Sequence, residues 1–437
     1  MRVWAARLTV TILLGRPGAA GGLGDSRYNA RPCAADSGGV PGGDLAKLVP
    51  PMALVYLDHT ATTPLDPRVR EAMLPWLGES FGNPSSLHRR GRAARAAVDE
   101  ARARVARLIG GRPEEIVFAA SGTEANNAVV ASAGSRAGRR GRLVISSLEH
   151  PSIRVAAERL EASGMEVVRV PPGPDGVVPA ARFLAALTPD TRLACLMVAN
   201  NEVGTLQPVA EVARACRELG VPLLADAVQA AGKVPVDAAA LEADYLVLGA
   251  HKLHGPLGAA ALWVRPGAAL EPFLTGGGQE RRLRAGTENV PALVGFGEAA
   301  RLAAEELAER AGRLAALRDR LEAVVRERIP GACCHCTEAP RLPQTSHLAF
   351  PGVEGEALLL RLDAAGYAVS TGAACSSGRP EPSKTLLAMG ISPEEALASI
   401  RVSLGAPTTA AEVEGFVGAL EREVGALRRV MKVPAQG

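Results

Sequence analysis

The chain has 437 residues, 22% of them charged and 47% hydrophobic, with 49 Lys or Arg against 46 Asp or Glu and a formal net charge of +3. That length buries a sizeable core and fits two or three domains, and an almost balanced charge without basic blocks or interleaved aromatics excludes nucleic acid as the expected partner. No apolar run reaches the length of a membrane span, and seven cysteines, an odd number without framework spacing, point to reduced thiols in a cytosol-like compartment.

Residues 1–51 are rich in Gly, Pro, Ala and Arg and carry no acid before Asp25. An Arg-rich, acid-poor start fits an organelle transit peptide. Met52, however, directly precedes the first core-like segment, Ala53 to Asp58, so an upstream mis-start of the reading frame ranks first and a cytoplasmic location is expected. From about residue 90 to 265, short apolar runs alternate with helical patterns. Glu115 to Ala119, Leu143 to Ser147, Glu166 to Val170, Leu193 to Val198, Pro222 to Ala225 and Tyr245 to Gly249 read as strands. Arg90 to Ile109, Ser152 to Ala162, Ala180 to Leu187 and Val209 to Leu219 read as helices. The alternation predicts an α/β fold whose large domain is a mostly parallel sheet covered by helices on both faces. Ligands of such sheets gather at the carboxyl ends of the strands. Gly297 to Ile329 is a long charged helical pattern; its apolar positions are mostly alanine, so it is expected to link two domains and not to form a coiled coil. Strands at Ser346 to Phe350 and Ala368 to Thr371, and helices at Glu356 to Ala365, Ser383 to Met389 and from Thr409, predict a smaller α+β domain. The expected boundaries are an extension over 1–51, a large domain over 67–310 and a small domain assembled from 52–66 and 311–437.

Only five lysines occur among the 49 basic residues, and one of them, Lys252, stands between His251 and Leu253-His254-Gly255-Pro256. An amine, unlike a guanidinium, loses its proton and forms Schiff bases. Asp226, one short αβ connection earlier, supplies the carboxylate partner that a pyridinium nitrogen needs, and both residues fall at predicted strand ends. The pair is the minimum equipment of a pyridoxal phosphate enzyme. Ser121-Gly122-Thr123-Glu124 opens a predicted helix, where free backbone N–H groups and the helix dipole favour a phosphate, although a plain N-cap has the same residues. His150 protrudes after the strand ending at Ser147 and suits ring stacking or proton handling; a capping histidine is the blander alternative. Asn201 occupies the next strand end, and Thr287 offers a second hydroxyl after the flexible Gly276-Gly277-Gly278. Cys375, in the small-residue run Ser370 to Gly378, is the best nucleophile candidate, because Cys195 and Cys216 sit in apolar surroundings. Cys333-Cys334-His335-Cys336 lacks the usual ligand spacing, reads as a surface stretch, and no metal site is expected.

From Val55 to about Leu427 the chain resembles the pyridoxal phosphate-dependent cysteine desulfurases of the class V aminotransferase group, fold type I. The resemblance rests on motifs in register: Tyr56-Leu57-Asp58 with Ala61-Thr62-Thr63-Pro64, Gly82-Asn83-Pro84-Ser85-Ser86, Thr123-Glu124, Glu149-His150, Asn200-Asn201-Glu202, Asp226 with Gln229, His251-Lys252, Arg284 to Thr287, the Cys375 loop and Ile400 to Gly405. That loop is similar to the long-loop subgroup that supplies iron–sulfur assembly. The resemblance implies that Lys252 holds pyridoxal 5'-phosphate and moves the Cα proton, Asp226 keeps the pyridine nitrogen protonated, Gln229 bonds the ring hydroxyl and His150 stacks on the ring. Gly122, Thr123 and His251 would cradle the phosphate, with Thr287 supplied across a homodimer. Asn201 and Arg401 would hold the substrate, Arg401 by gripping its carboxylate, while Cys375 attacks the sulfur of L-cysteine, becomes a persulfide and passes the sulfur to an acceptor such as an iron–sulfur scaffold protein.

Three positions depart from the family pattern. Gly249 stands where many desulfurases have a phosphate-binding serine, Thr60 where asparagine or serine is usual, and His254 where tyrosine is frequent. Gly249 also fits a selenocysteine lyase, the alternative within enzymes. A cofactor-free sulfur carrier or scaffold is the alternative outside them, and intact Lys252, Asp226 and His150 speak against it.

Overall fold

The computed structural model describes residues 54–138, 140–371 and 381–431. Residues 1–51 and Cys375, on which two of the expectations rest, lie outside the described residues. Chain order gives strands β1 (Val55–Tyr56), β2 (Ile116–Ala119), β3 (Arg142–Ser146), β4 (Glu166–Val170), β5 (Thr191–Cys195), β6 (Leu223–Asp226), β7 (Tyr245–Gly249) and β8 (Ala260–Val264), followed by β9 (Cys333–Cys334), β10 (Thr345–Ala349), β11 (Tyr367–Ala368) and β12 (Ser399–Ser403). The helices are α1 (Pro67–Leu77), α2 (Arg89–Leu108), α3 (Gly122–Arg136), α4 (Pro151–Glu161), α5 (Ala180–Ala186), α6 (Val209–Glu218), α7 (Ala238–Leu241), α8 (Val290–Arg328), α9 (Gly355–Ala364), α10 (Lys384–Ala388), α11 (Pro393–Leu397) and α12 (Ala410–Met431).

Seven strands form one sheet in the order β2-β8-β7-β6-β5-β3-β4. β3, β4, β5, β6 and β7 pair in parallel; β8 runs antiparallel between β2 and β7. β7 shows why the sheet is covered on both faces. Its five residues are all buried, and strand alternation sends Leu246 and Leu248 into one core while Tyr245 and Val247 enter another. Val98 and Val105 of α2, Val212 of α6 and Phe296 of α8 fill the first core; Ala125 and Val129 of α3 and Ile153 and Ala157 of α4 fill the second.

Helix α8 begins seven residues before the expected start, where Asn289 caps it by accepting from the Ala292 N–H at 3.3 Å. Its 39 residues span about 58 Å. Leu293, Phe296 and Ala300 join the core of the large sheet, while Leu314, Leu321 and Val325 join a separate core with Phe350, Leu358, Ile400 and Phe416. Gly297 is required within it, since a Cβ there would lie 2.6 Å from Ala101 Cα of α2. The second core covers a three-stranded antiparallel sheet, β12-β10-β9, and the parallel pair β1-β11.

Four strands, β1, β8, β9 and β12, go beyond the expected elements, and β9 falls in the Cys333–Cys336 run expected to be a surface stretch. β8 opens with two alanines, which have low strand preference, and owes its place to the pairing with β2 and β7. Asp226 is the last residue of β6 and not just past it. Among the described residues, no helix is long and apolar enough to cross a membrane.

Candidate active site

The carboxyl edge of the seven-stranded sheet gathers most of the expected residues. Asp226 is buried, and both of its oxygens are engaged: Asn126 Nδ2 donates to Oδ2 at 2.8 Å and the Val228 N–H to Oδ1 at 2.9 Å. Asn126 also donates to Ser152 Oγ at 2.9 Å, and that hydroxyl lies 2.9 Å from His150 Nδ1. His150 caps α4 by accepting from the Ser152 N–H. Nδ1 is thus an acceptor, which leaves the ring proton on Nε2. Burial lowers the His150 pKa; Asp226 opposes that shift and Lys252 adds to it.

Lys252 closes a single 3-10 turn, Ala250–Lys252, that leaves the end of β7. Its Nζ donates to the carbonyl of Thr60 at 2.7 Å and to that of Ala61. Burial, followed by the Arg401 guanidinium, pushes the amine down to about 8 against the favourable charges of Asp58 and Asp226. His251 Nδ1 lies 3.2 Å from Thr62 Oγ1, and burial followed by Lys252 pushes its ring down to about 4. Gln229 Nε2 donates to the Thr60 carbonyl at 3.1 Å. The segment from Asp58 to Thr63 therefore forms one wall shared by Lys252, His251 and Gln229.

Arg401, in the middle of β12, is 5% exposed; its Nη2 donates to Asp58 Oδ1 at 2.6 Å and its Nη1 to the Asn201 carbonyl at 2.9 Å. Among the described residues its Nε is buried without a partner, an unused donor at a site expected to grip a carboxylate. Gly122 and Thr123 form the first turn of α3, capped by Ser121 Oγ. A Cβ on Gly122 would meet Val228 Cγ2 at 3.0 Å, so glycine lets the helix start close to the segment that follows Asp226. Glu124 binds Arg284 through two hydrogen bonds, which anchors the approach to Thr287. Thr287 itself is exposed.

Two polar residues, the half-buried Lys233 and the buried Asn126, carry no local signal in the sequence that singles them out. Lys233 donates to Gln229 Oε1 at 2.9 Å, and burial, then Lys252 and Arg401, lower its pKa well below the ordinary lysine value. The scarcity of lysine that marks Lys252 marks Lys233 equally. Asn126, 1% exposed, orients both Asp226 and, through Ser152, His150; its position one turn into a helix carries no local signal.

A sheet of this topology with an amine, a carboxylate and a helix N-terminus at one strand edge defines the aminotransferase type of site. The aminotransferase class-V family model matches residues 55–416, and the chain belongs to that family. Its relatives are cysteine desulfurases. One from Cereibacter sphaeroides is 44% identical over 387 residues, covering 88% of this chain and 99% of the relative. The cysteine desulfurase IscS of Dictyoglomus turgidum is 41% identical, covering 86% and 96%. Among solved structures, a NifS-like protein superposes with a TM-score of 0.80 at 35% identity, covering 85% of this chain and 100% of its own.

Proposed function

We propose that this chain is an L-cysteine desulfurase that removes sulfur as a persulfide on Cys375, releases L-alanine and passes the sulfur to an acceptor protein for iron–sulfur or thio-cofactor synthesis. The observation that carries the reading is the Lys252 amine, lowered to about 8 beside the buried Asp226 and Arg401 and the more exposed His150. A structural relative described as SspA in complex with cysteine, 31% identical with a TM-score of 0.71, supports the substrate class.

The donor set fits pyridoxal 5'-phosphate. An amine that loses its proton near pH 8, a hydrogen-bonded buried carboxylate, an imidazole with its proton on Nε2 and a helix N-terminus are what an aldehyde, a ring nitrogen, a ring face and a phosphate require. When bound, the cofactor supplies an electron sink for charge developing at the substrate Cα. Lys252 would hold it and then move the Cα proton, a task favoured by an amine whose pKa is lowered toward neutrality. Asp226, kept in place by Asn126 and Val228, would hold the proton on the ring nitrogen, and Gln229, its carbonyl occupied by Lys233, would offer an N–H to the ring oxygen. Gly122, Thr123 and His251 would line the phosphate. Arg401 and Asn201 would orient L-cysteine, with the unpaired Nε of Arg401 adding a donor for the carboxylate. Cys375 would attack the substrate sulfur as a thiolate. Thr287, anchored by Arg284–Glu124 yet exposed, supports a homodimer in which it serves the partner's phosphate; a cytoplasmic location is part of the same proposal.

The test is Cys375→Ser. The variant should keep its cofactor and still bind L-cysteine, seen as an unchanged spectral shift on substrate addition, while releasing almost no sulfide. Wild-type protein given cysteine without reductant should gain one sulfur on the peptide containing Cys375. Full activity of the variant, with the added sulfur on Cys333, Cys334 or Cys336, would refute the proposal.

A further inference from the structure

We propose that Cys333, His335 and Glu395 form a binding site for a borderline-soft divalent cation of the zinc class, outside the crevice that holds Lys252. The three side chains each bring one ligand atom, and these atoms all lie within 4.8 Å of one another. Ligands bonded at about 2.0–2.3 Å to one tetrahedral ion stand roughly 3–4 Å apart, so the cluster needs little adjustment to close around a cation.

The placement follows from strand geometry. β9 pairs antiparallel with β10 through Leu348↔Cys334 and Ala349↔Cys333, and the pairing continues as the His335 N–H donates to the His347 carbonyl at 2.9 Å. Alternation along a strand puts residues i and i+2 on one face. Cys333 and His335 therefore share a side, while Cys334 turns toward the core containing Leu321 and Phe416. Glu395 arrives from α11, sixty positions away in sequence, on a helix fixed by the Ser392 cap. That distance is why the Cys-Cys-His-Cys run looks inert when only local spacing is considered.

His335 is oriented as a metal-bound imidazole usually is. Its Nε2 lies 2.9 Å from Glu395 Oε1 and its Nδ1 lies 2.9 Å from His347 Nδ1. With a cation on Nε2, the proton sits on Nδ1 and is donated to His347, the outer partner that fixes tautomer and ring plane. His347 is fully buried, so this partner is held rigidly. A proton on His335 Nε2, shared with Glu395, accounts for the His–Glu contact but gives the Cys333 thiol nothing to do. One thiolate, one imidazole and one carboxylate match zinc and disfavour magnesium or calcium, which take oxygen ligands. Cys333 is exposed, so water completes the fourth position. β10 pairs His347 directly with Arg401 across the sheet, so an ion here also braces the strand neighbour of Arg401.

The experiment uses full-length, cofactor-loaded protein carrying Cys375→Ser, so that the loop thiol contributes no metal. The protein is stripped with a chelator, given zinc chloride, passed through a desalting column and analysed for zinc. The expected result is about one zinc per chain, lost in Cys333→Ser and in Glu395→Gln, kept in Cys334→Ser, and with no magnesium retained under the same treatment. His347→Gln should weaken zinc by roughly 10–100-fold in competition with a chromogenic chelator. Because Cys333 and Glu395 lie at the surface side of the cluster, their variants should melt within a few degrees of the parent, which keeps the comparison meaningful. No retained zinc, or zinc unchanged in both Cys333→Ser and Glu395→Gln, would overturn the site.

Discussion

Gly249→Ser tests where the phosphate of the cofactor lies, because the change adds one hydroxyl at the end of β7 and disturbs little else. Gly249 has φ −129° and ψ 122°, ordinary extended backbone for any residue. A Cβ built there lies 3.4 Å from Val228 Cγ1 and 3.7 Å from His251 Cδ2, both normal contacts. Serine therefore enters without strain, and loss of a strand glycine favours folding by about 0.5–1 kcal/mol. If the phosphate sits between the N-terminus of α3 and His251, the new O–H donates to a charged acceptor. Such a hydrogen bond contributes about 1.5–3 kcal/mol, or roughly ten- to 150-fold in cofactor affinity. The assay is titration of apo-protein with pyridoxal 5'-phosphate beside the melting temperature of the apo form. Unchanged or weaker affinity in a variant whose apo form melts normally would refute this placement of the phosphate.

Four further outcomes follow from buried or half-buried charge. With Lys252 near 8 instead of 10.5, roughly 300-fold more amine is neutral at pH 7 than in a solvated lysine, so cofactor uptake should rise with pH and level off just above 8; a rise that continues to pH 10 would contradict the lowered value. Because the native amines of Lys252 and Lys233 bind protons more weakly than those of the unfolded chain, apo-protein should gain stability as pH climbs from about 8 toward 10.5, read by urea unfolding, and a loss over that window would reverse the sign. Lys233→Met should keep thermal stability yet weaken the cofactor about fivefold, the worth of roughly 1 kcal/mol of hydrogen-bond orientation at Gln229; lower stability with unchanged affinity would make Lys233 a core residue only. Glu280→Leu should cost roughly 3–5 kcal/mol, measured by denaturant unfolding, because it strands Arg102, whose guanidinium is 8% exposed and doubly bonded to Glu280; a cost below about 1 kcal/mol would show that Arg102 finds another partner.

The large sheet was legible because β6 and β7, and the inner residues of β3 and β5, are apolar runs, a pattern forced by burial on both faces. α1 and β12 were not read as elements because one has an internal proline, Pro75, and the other places Arg401 and two serines in a fully buried strand. Lys252 and Asp226 could be found from chemistry alone, since an isolated amine and a carboxylate at strand ends have few other uses. Their supports could not. Thr60 reaches Lys252 across 192 residues and Asn126 reaches Asp226 across 100, and nothing in local spacing encodes such pairings. The Cys333 cluster failed to stand out for the same reason, its carboxylate coming from a distant helix.

The Asp58–Arg401 pair has a consequence for synthesis, since its members are 343 residues apart. At about 5–20 residues per second, roughly 20–70 s separate their emergence from a ribosome. All strands of the seven-stranded sheet are available by Val264, so that sheet can assemble while β1 still has no partner and the wall of Thr60 and Ala61, though it can already meet Lys252 and Gln229, lacks its anchor at Asp58. Only when β11 and β12 appear does β1 find Tyr367 and Ala368, and Asp58 find Ser403 and Arg401. A growing chain should thus own a folded sheet long before it owns a crevice able to retain a cofactor, and truncation even a short way before β12 should yield a folded sheet that cannot be loaded.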